Sequence, residues 1–455
     1  MLKLALGEAP DDVPSSIDVR SGAHQPAERL RHGALDRVLR DFGGYAQISR
    51  VHSAAASITK PGRQHVGFDD LEQVIGLART FKVDIAPDAR VADLVDALRQ
   101  LSVVEAASPD YLSTLPFAAM AWTQLPADPE QAWQSRRLIN GPEALAYEPG
   151  HPAVAIMILD TGVAAAHSEL PILRPGFDTV QLTDGALAPG IHLLGDYRNP
   201  DTNPEDDLVG HGTACAAIIA AFGVRIPPGT AGECSATPVR VLGAAQFPGK
   251  DAPLGIGAIA NIDAGVKRAV DMGAKVLNMS FGTPASALAP GDPLPHADVC
   301  RYGMARNCVM VAASGNNGKV ERFLPAAHDG VIAVGSVDDR GRPSAFSTLG
   351  EHVAVSAPGE RVVTASLQGY QLATGTSFAA PFVAAVAALL ISRGLRRSTP
   401  LDGPTVKRIL CASARPWSNG DAHSGRGTGI LDALAALQLL DDEIDKEGDD
   451  ATSST

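Results

Sequence analysis

The sequence predicts an α/β protein: a doubly wound, mostly parallel sheet with helices on both faces, preceded by a small α+β domain. The main observation is that short apolar runs alternate with helical patterns from Trp133 onward. Continuous apolar strands of this kind are typical of a parallel sheet that is buried on both faces. The second observation is a high content of turn-forming residues, 45 Gly and 33 Pro in 455 residues, which favours many tight connections. The third is that residues 1–112 combine charged helical stretches with only a few short apolar runs.

The main domain, 133–437, is expected to contain buried strands at 154–160, 238–244, 274–280, 308–314 and 330–337. Helical periodicity predicts helices that include 211–222, 257–272 and 377–393. In an open parallel sheet, functional side chains gather at the carboxyl ends of the strands and at the adjoining helix N-termini. These are therefore the places to search for chemistry.

The N-terminal domain, 1–112, has helical patterns at 26–40 and 91–101 and an apolar run at 79–85 that predicts a strand. Residues 113–132 contain three prolines without a consistent period, which indicates a linker. Residues 438–455 form an acidic tail, in which the last fifteen residues hold seven acids and one Lys. Such a composition predicts disorder for this tail.

The net charge of −13 disfavours a nucleic-acid partner or an anionic membrane surface. The longest apolar run, 379–391, has 13 residues and contains Pro381, whereas a membrane span needs about 20. No secretory signal is recognised at the start, which favours the cytoplasm but leaves the compartment open. Reduced thiols are the default expectation for the five cysteines, with a Cys300–Cys308 pair as an alternative.

Three short motifs carry an acid, an imidazole and a hydroxyl in that order. Asp160 ends the apolar run ILD, His211 opens a helix in GHGTAC, and Ser377 opens another in GTSFAAP. Each alone could be a turn or cap residue. Together they supply a nucleophilic oxygen, a base for its proton and a carboxylate that fixes the tautomer of the base, which acyl transfer requires. The spacings are 51 residues from the acid to the imidazole and 166 from the imidazole to the hydroxyl.

This order and these motifs resemble the subtilisin-like serine proteases, the subtilases. The segment AASGNNG, 312–318, is similar to the family's oxyanion segment, and LNMSFG, 277–282, to its substrate-pairing strand. The resemblance covers about 133–437 and implies a serine endopeptidase that acts on protein or peptide substrates without an organic cofactor. It implies that Asn316 meets the oxyanion. The substrate-binding residues that it implies are Ser280, Phe281, Gly282 and, at the floor of the primary specificity pocket, Phe323.

Two other function classes are weighed against a general protease. A dedicated processing peptidase for one partner would use the same site and would differ only in substrate breadth. A catalytically silent binding module is disfavoured by the intact set of reactive residues. The segment 98–111 resembles the end of a subtilase inhibitory propeptide, so the N-terminal domain is either an intramolecular inhibitor or an unrelated appendage. As an inhibitor, it would be cut between Leu112 and Gln131.

No metal ligand is predicted. His211 and Cys215 are four residues apart on one helix, but the sequence offers no third ligand beside them. The thiol is expected beside the catalytic imidazole, as in thiol-sensitive subtilases. Carboxylates that precede His211 could bind structural Ca²⁺, although a solvated acidic loop is the preferred interpretation; they are Asp196, Asp201, Glu205, Asp206 and Asp207.

Overall fold

The structure, a computed structural model, describes residues 1–55, 67–115, 129–183, 187–418 and 425–453. The N-terminal domain is an antiparallel sheet covered by helices, in the strand order β2-β3-β1-β4. Its elements are β1 (Leu2–Leu4), α1 (Ser16–Arg20), α2 (Gly33–Gly43), β2 (Ala46–Arg50), α3 (Asp70–Ile75), a short 3₁₀ helix (Leu77–Arg79), β3 (Thr80–Ile85), α4 (Val91–Arg99) and β4 (Val104–Ala107). This arrangement is an α+β sandwich with β-α-β-β-α-β connectivity, if the short helices are set aside.

The amphipathic helices explain the layers of this domain. Leu35 and Leu39 of α2 and Leu94 and Leu98 of α4 recur at spacings of four and are buried. A helix with such a stripe has one face that must be covered. These side chains pack with Phe81 and the other inward-facing residues of the sheet in one core.

The remaining strands are β5 (Leu112–Thr114), β6 (Ala155–Asp160), β7 (Phe177–Asp178), β8 (His192–Leu194), β9 (Ser235–Arg240), β10 (Gly243–Gln246), β11 (Leu254–Ala258), β12 (Val276–Met279), β13 (Thr283–Pro284), β14 (Val309–Ala313), β15 (Phe323–Leu324), β16 (Ile332–Val337), β17 (Val353–Pro358), β18 (Val362–Ala365) and β19 (Tyr370–Ala373). The helices are α5 (Pro129–Leu138), α6 (Gly141–Tyr147), α7 (His211–Ala220), α8 (Ile259–Asp271), a 3₁₀ helix (Ala285–Ala287), α9 (Ala297–Ala305), α10 (Thr376–Arg396), α11 (Gly403–Ala412) and α12 (Ala433–Ser453).

The central sheet has seven parallel strands in the order β17-β16-β14-β12-β6-β9-β7. Successive residues of β6 point to opposite faces, as a strand's period of two requires. Ile156 and Ile158 pack with α7 and α10, whereas Met157 and Leu159 pack with α8 and α9. Both faces are therefore covered by helices, which confirms the predicted doubly wound α/β fold.

The predicted linker and tail differ from the structure. Residues 112–114, at the boundary between the predicted N-terminal domain and the predicted linker, form β5, because the neighbouring strand β11 supplies partners for its backbone. Helix α5 begins at Pro129, inside the predicted linker. The acidic tail predicted to be disordered is instead helical to Ser453, because Asp441 pairs with Arg393 and Leu440 packs on the core.

Helix α10 is the one described helix that is long and apolar enough to cross a membrane by length and composition alone. Of its most apolar window, 89% is buried inside the protein. It is the central core helix beneath the sheet, packed against α7, and its first turn carries Ser377.

Candidate active site

The carboxyl end of β6 brings the acid and the imidazole together. Asp160 is the last residue of this strand and His211 is the first residue of α7. His211 Nδ1 lies 2.8 Å from Asp160 Oδ1, and both side chains are almost fully buried. Helix α7 can approach the strand this closely because Gly212 has no side chain: a Cβ there would lie 2.1 Å from the Gly162 carbonyl oxygen. The carboxylate fixes the orientation of the imidazole and leaves Nε2 as its reactive nitrogen.

Asp206 holds this pair in place from the preceding loop. Its carboxylate accepts the backbone N–H groups of Val209 at 2.8 Å and Gly210 at 2.7 Å, directly before His211. It also accepts the N–H of Leu208 at 3.0 Å and the hydroxyl of Thr161, which in turn accepts the N–H of Gly212 at 3.0 Å. The side chain is buried, so this residue is not part of the solvated acidic loop that the sequence predicted.

The neighbouring carboxylates also accept N–H groups. Asp201 accepts the N–H of Asn203, and Asp196 accepts those of Arg198 and Asn199. These two carboxylates therefore cap the turns of their own loop. Among the described residues, the cluster with metal-ligand geometry is Asp160, His211 and Cys215. Burial raises the pKa of the Cys215 thiol well above its usual value, so the sulfur is protonated beside the imidazole.

Ser377 lies in the first turn of α10, and two reciprocal hydrogen bonds join it to Ser280. Its Oγ donates to the Ser280 carbonyl at 3.1 Å, and Ser280 Oγ donates to the Ser377 carbonyl at 2.8 Å. Cys215 Sγ lies 3.5 Å from the same Ser377 carbonyl oxygen and 3.9 Å from His211 Nδ1. The thiol therefore lies between the hydroxyl-bearing and imidazole-bearing helices, as expected from its position four residues after His211.

Asn316 follows the end of β14 and is held beside Ser377 by its neighbour. Its Oδ1 accepts both the backbone N–H and the hydroxyl of Thr376, at 2.8 and 2.9 Å. Because these bonds use the oxygen end of the amide, Nδ2 is the donor end. The Asn316 amide and the N-terminus of α10 thus meet beside Ser377, an arrangement that can stabilise a developing negative charge.

A short strand of the N-terminal region lies in a groove next to these residues. Strand β5 pairs antiparallel with β11, with Thr114 opposite Ile256. On the other side, the N–H of Thr114 donates to the Gly282 carbonyl at 3.3 Å, and the Gly282 N–H donates to Thr114 at 3.1 Å. Leu115 N–H donates to Gly255 at 3.1 Å. The groove between β11 and the segment 280–282 therefore binds an extended chain through its backbone.

Phe323 occupies the space beside this groove. A Cβ at Gly282 would lie 2.6 Å from Phe323 Cε1, and one at Gly315 would lie 3.1 Å from Phe323 Cγ. The ring is therefore packed between the segment before β13 and the segment after β14. Phe281, the remaining predicted substrate-binding residue, is fully buried and meets His296 edge-on at 5.9 Å.

Comparison with known proteins agrees with this architecture. Residues 152–430, more than half of the chain, match the family model described as the subtilase family. The chain belongs to the subtilase family. It is therefore a subtilisin-like serine endopeptidase that acts on protein or peptide substrates, and catalysis in this family needs no cofactor.

Several subtilases are similar over most of their length. The thermophilic serine proteinase of Bacillus sp. (strain AK1) is 33% identical over 321 residues, which cover 69% of each chain. Thermitase from Thermoactinomyces vulgaris is 34% identical over 262 residues, 56% of this chain and 81% of thermitase. Among solved structures, the prenylagaramide maturation protease PagA matches with 27% identity and a TM-score of 0.52, over 66% of this chain and 98% of that chain.

The structure brings all the predicted site residues to one end of the central sheet. Sequence reasoning missed Asp206 as a partner of Thr161, and it missed Thr376 as the residue that fixes Asn316. It also missed a second imidazole and carboxylate pair, His296 with Asp263. The sequence offers no short spacing that could reveal this pair, because 33 residues separate its members.

Proposed function

We propose that Ser377 is the nucleophile of this endopeptidase, His211 its general base and Asp160 the residue that orients the base. The proposal is carried by the 2.8 Å contact between His211 and Asp160 at the end of β6, beside the first turn of α10. Ser377 Oγ attacks the scissile carbonyl, and its proton moves to His211 Nε2. The imidazolium then protonates the leaving amine, and water hydrolyses the acyl-enzyme by the same route.

The oxyanion of each tetrahedral intermediate is stabilised by Asn316 Nδ2 and the backbone N–H of Ser377. The two bonds from Thr376 hold the amide in place before the reaction begins. A preorganised donor of this kind acts mainly in the transition state, because the carbonyl oxygen gains its charge there.

Substrate binding releases the nucleophile. The bound chain runs antiparallel to the segment 280–282. The residue that lies opposite Ser280 is therefore two positions further along the bound chain than the residue opposite Gly282. The Ser280 carbonyl, which now accepts the Ser377 hydroxyl at 3.1 Å, is then the acceptor for the substrate's N–H. Once that carbonyl is taken, the hydroxyl turns to His211, since catalytic hydrogen bonds often form only in the substrate complex.

The primary specificity pocket accepts small P1 side chains. Its two walls are the segments that contain Gly282 and Gly315, and the Phe323 ring fills the space between them. The ring is only 7% exposed and packs on both walls, so an aromatic P1 side chain would have to displace it.

We propose that the N-terminal domain inhibits the protease until it is cut off. The proposal is supported by β5, which fills the groove from Leu112 to Leu115 in the manner of a substrate. Covalent attachment keeps this segment at a local concentration of roughly millimolar, so even weak binding occupies the groove. The expected cut between Leu112 and Gln131 falls largely on residues 116–128, which lie outside the described residues.

The experiment is to purify the wild type and Ser377→Ala side by side. The wild type should react with a fluorophosphonate probe and lose an N-terminal fragment of about 12 kDa, in proportion to 47.1 kDa for 455 residues. Ser377→Ala should remain unlabelled and uncut, with a loss in kcat on the order of 10⁶, the magnitude that subtilisin itself shows. The purified fragment should inhibit the wild type in trans. Labelling of Ser377→Ala would refute the nucleophile, and a fully active, uncut wild type would refute the inhibitor.

A dedicated processing role is the second candidate. One observation that favours this role is the similarity to the prenylagaramide maturation protease PagA, which covers 98% of that chain. The other is the Phe323 ring in the primary specificity pocket, which restricts the P1 side chains that can bind. Digestion of a denatured proteome separates the candidates. A general protease should cut at hundreds of unrelated sites, whereas a dedicated one should cut at a few sites with a common sequence.

A further inference from the structure

A polar pocket lies on one side of the groove, around the side chain of Ser113. This side chain is fully buried, and its Oγ lies 2.8 Å from Thr283 Oγ1 and 3.2 Å from His296 Nε2. The neighbouring Thr114 makes the two backbone bonds to Gly282. Ser113 is therefore the residue immediately before the one that pairs with Gly282, and its side chain meets the enzyme through hydrogen bonds.

The imidazole of His296 is fixed from its other nitrogen. His296 Nδ1 lies 2.6 Å from Asp263 Oδ1, and the His296 side chain is 1% exposed. Because the carboxylate accepts the Nδ1 proton, Nε2 presents a lone pair to the pocket. The Ser113 hydroxyl can donate to that nitrogen and accept from Thr283, so a single hydroxyl satisfies both partners.

The backbone at His296 supports the idea of a built site. This residue has a φ of +66° immediately before α9, in the left-handed region that non-glycine residues rarely adopt. The preceding carbonyl of Pro295 accepts a hydrogen bond from His328 Nε2 at 2.6 Å, and the Phe281 ring meets the imidazole edge-on. Backbone strain of this kind persists where the surrounding contacts hold a side chain in one orientation.

We propose that His296, Asp263 and Thr283 form a hydroxyl-selective subsite of the groove, so that preferred substrates carry Ser or Thr there. The proposal rests on the proposed function, because it assigns the substrate class of the same groove. When the residue opposite Ser280 is taken as P1, the residue in this subsite is P4.

The selectivity arises because an apolar P4 side chain would leave polar atoms of the pocket without hydrogen bonds. Val or Leu at this position would bury His296 Nε2 and Thr283 Oγ1 without the hydroxyl that satisfies them. A site built to bind a hydroxyl rejects analogues that lack it, because its own polar groups are then left unpaired. We expect a loss of about tenfold to a hundredfold in kcat/KM for each such replacement.

The test uses the processed enzyme and four fluorogenic peptides of the form X-Thr-Leu-Ala, in which Thr-Leu copies Thr114 and Leu115. X is Ser, Ala, Thr or Val, so that two pairs differ by one hydroxyl. We expect the Ser peptide to exceed the Ala peptide, and the Thr peptide to exceed the Val peptide, by about tenfold or more in kcat/KM. Ratios near one, or a preference for Val, would overturn the proposal.

Variants assign the preference to the pocket. His296→Asn keeps a residue type that tolerates the left-handed backbone, and Asp263→Asn keeps the shape of the carboxylate. Both should bring the hydroxyl ratios to within about threefold of one while the Ala and Val peptides change little. The matched control is His151→Asn, in the loop that precedes β6 and thus at the far end of that strand from Asp160, which should keep the wild-type ratios. Unchanged ratios in His296→Asn would overturn the assignment.

Two further measurements separate this inference from the proposed function. Fluorophosphonate labelling reports the reactivity of Ser377 and does not depend on the P4 side chain. If the wild type is labelled but shows no preference for Ser or Thr at P4, the subsite is refuted and the proposed nucleophile stands. Absence of wild-type labelling refutes the proposed nucleophile, and hydrogen exchange in the uncut Ser377→Ala chain then tests the subsite.

In the hydrogen-exchange experiment, Ser113→Ala in the Ser377→Ala background should speed exchange of the Thr114 and Leu115 amides by about tenfold. Adding His296→Asn should accelerate it little further, whereas fully additive effects would show that the two side chains act separately.

Discussion

Replacing Phe323 by Ala should convert a pocket for small P1 side chains into one that accepts aromatic side chains. The ring is packed between Gly282 and Gly315, with distances of 2.6 and 3.1 Å from a Cβ at each position. The position on each wall that meets the ring is a glycine, so removing the ring opens a slot about as large as the ring itself. A P1 Phe can enter this slot and replace the contacts that Phe323 made.

The size of the change follows from the apolar area that the new P1 side chain buries. Full burial of a Phe side chain is worth about 1.5–3 kcal/mol relative to its exposure. Expressed as a ratio of kcat/KM, this is about 10- to 150-fold in favour of P1 Phe over P1 Ala, relative to the wild type. The folded state should also lose up to about 3–5 kcal/mol, because Phe323 is only 7% exposed.

The assay is a P1 series of peptides with Ala, Leu, Phe and Tyr, measured on the wild type and on Phe323→Ala. Phe177→Ala is the matched control, because Phe177 is a buried phenylalanine of the same domain, in β7 away from the groove. It should lower the melting temperature without changing the P1 preference. The reasoning is refuted if the wild type already prefers Phe or Tyr over Ala and Leu, or if Phe323→Ala leaves the preference unchanged.

Asn316→Ala should lower kcat by roughly 10²–10³ with little change in KM, the loss that removal of an oxyanion donor causes in subtilisin itself; a kcat within twofold of the wild type would show that another group holds the oxyanion. Mercurials should inactivate the enzyme slowly, because burial raises the pKa of Cys215 and keeps the thiol protonated. Cys215→Ala should keep most activity and resist inactivation, and equal sensitivity would implicate another thiol. Burial and the neighbouring Lys267 lower the pKa of His52 well below 6.5, so His52 is neutral in the docked N-terminal domain. Detachment removes Lys267 and the protease's share of the burial, so the pKa of His52 rises towards its ordinary value. The affinity of the domain for Ser377→Ala protease, measured by titration, should therefore fall as the pH is lowered below about 6.5, by at most about tenfold per pH unit; His52→Leu should flatten this dependence, and an unchanged slope would contradict it.

The fold of the main domain was predictable because local patterns in the sequence mark its strands and helices. The run that ends at Asp160 is continuously apolar, and the structure has β6 (Ala155–Asp160) there. The predicted helix start at His211 is the first residue of α7. The strand predicted over 238–244 lies a few residues earlier, as β9 (Ser235–Arg240), because the chain turns at residues 241–242 and continues in another sheet as β10.

Contacts between distant segments were not predictable. The sequence Leu112-Ser113-Thr114 has no alternation that marks a strand, and it becomes one because the groove supplies hydrogen-bond partners on both sides. The acidic tail likewise contains no signal for its docking. Its helix is stabilised by the pairing of Asp441 with Arg393 of α10, and these two residues are 48 positions apart in the sequence.

The charges at the domain interface bear on how the proposed inhibitor would leave the protease. Lys267 is 2% exposed and lies 2.6 Å from Glu72 of the N-terminal domain and 2.6 Å from Asp271 of its own helix. Burying an ion pair costs desolvation energy that its attraction only partly returns. When the N-terminal domain departs, Lys267 keeps Asp271 and regains water, so this pair fixes the docking geometry more than it adds affinity. Affinity then rests on β5, on apolar contacts such as those of Leu77, and on ion pairs outside this cluster such as Arg99 with Asp292. Cutting the tether would remove the high local concentration on which that affinity depends, so under the proposed inhibition cleavage is the step that commits the protease to activity.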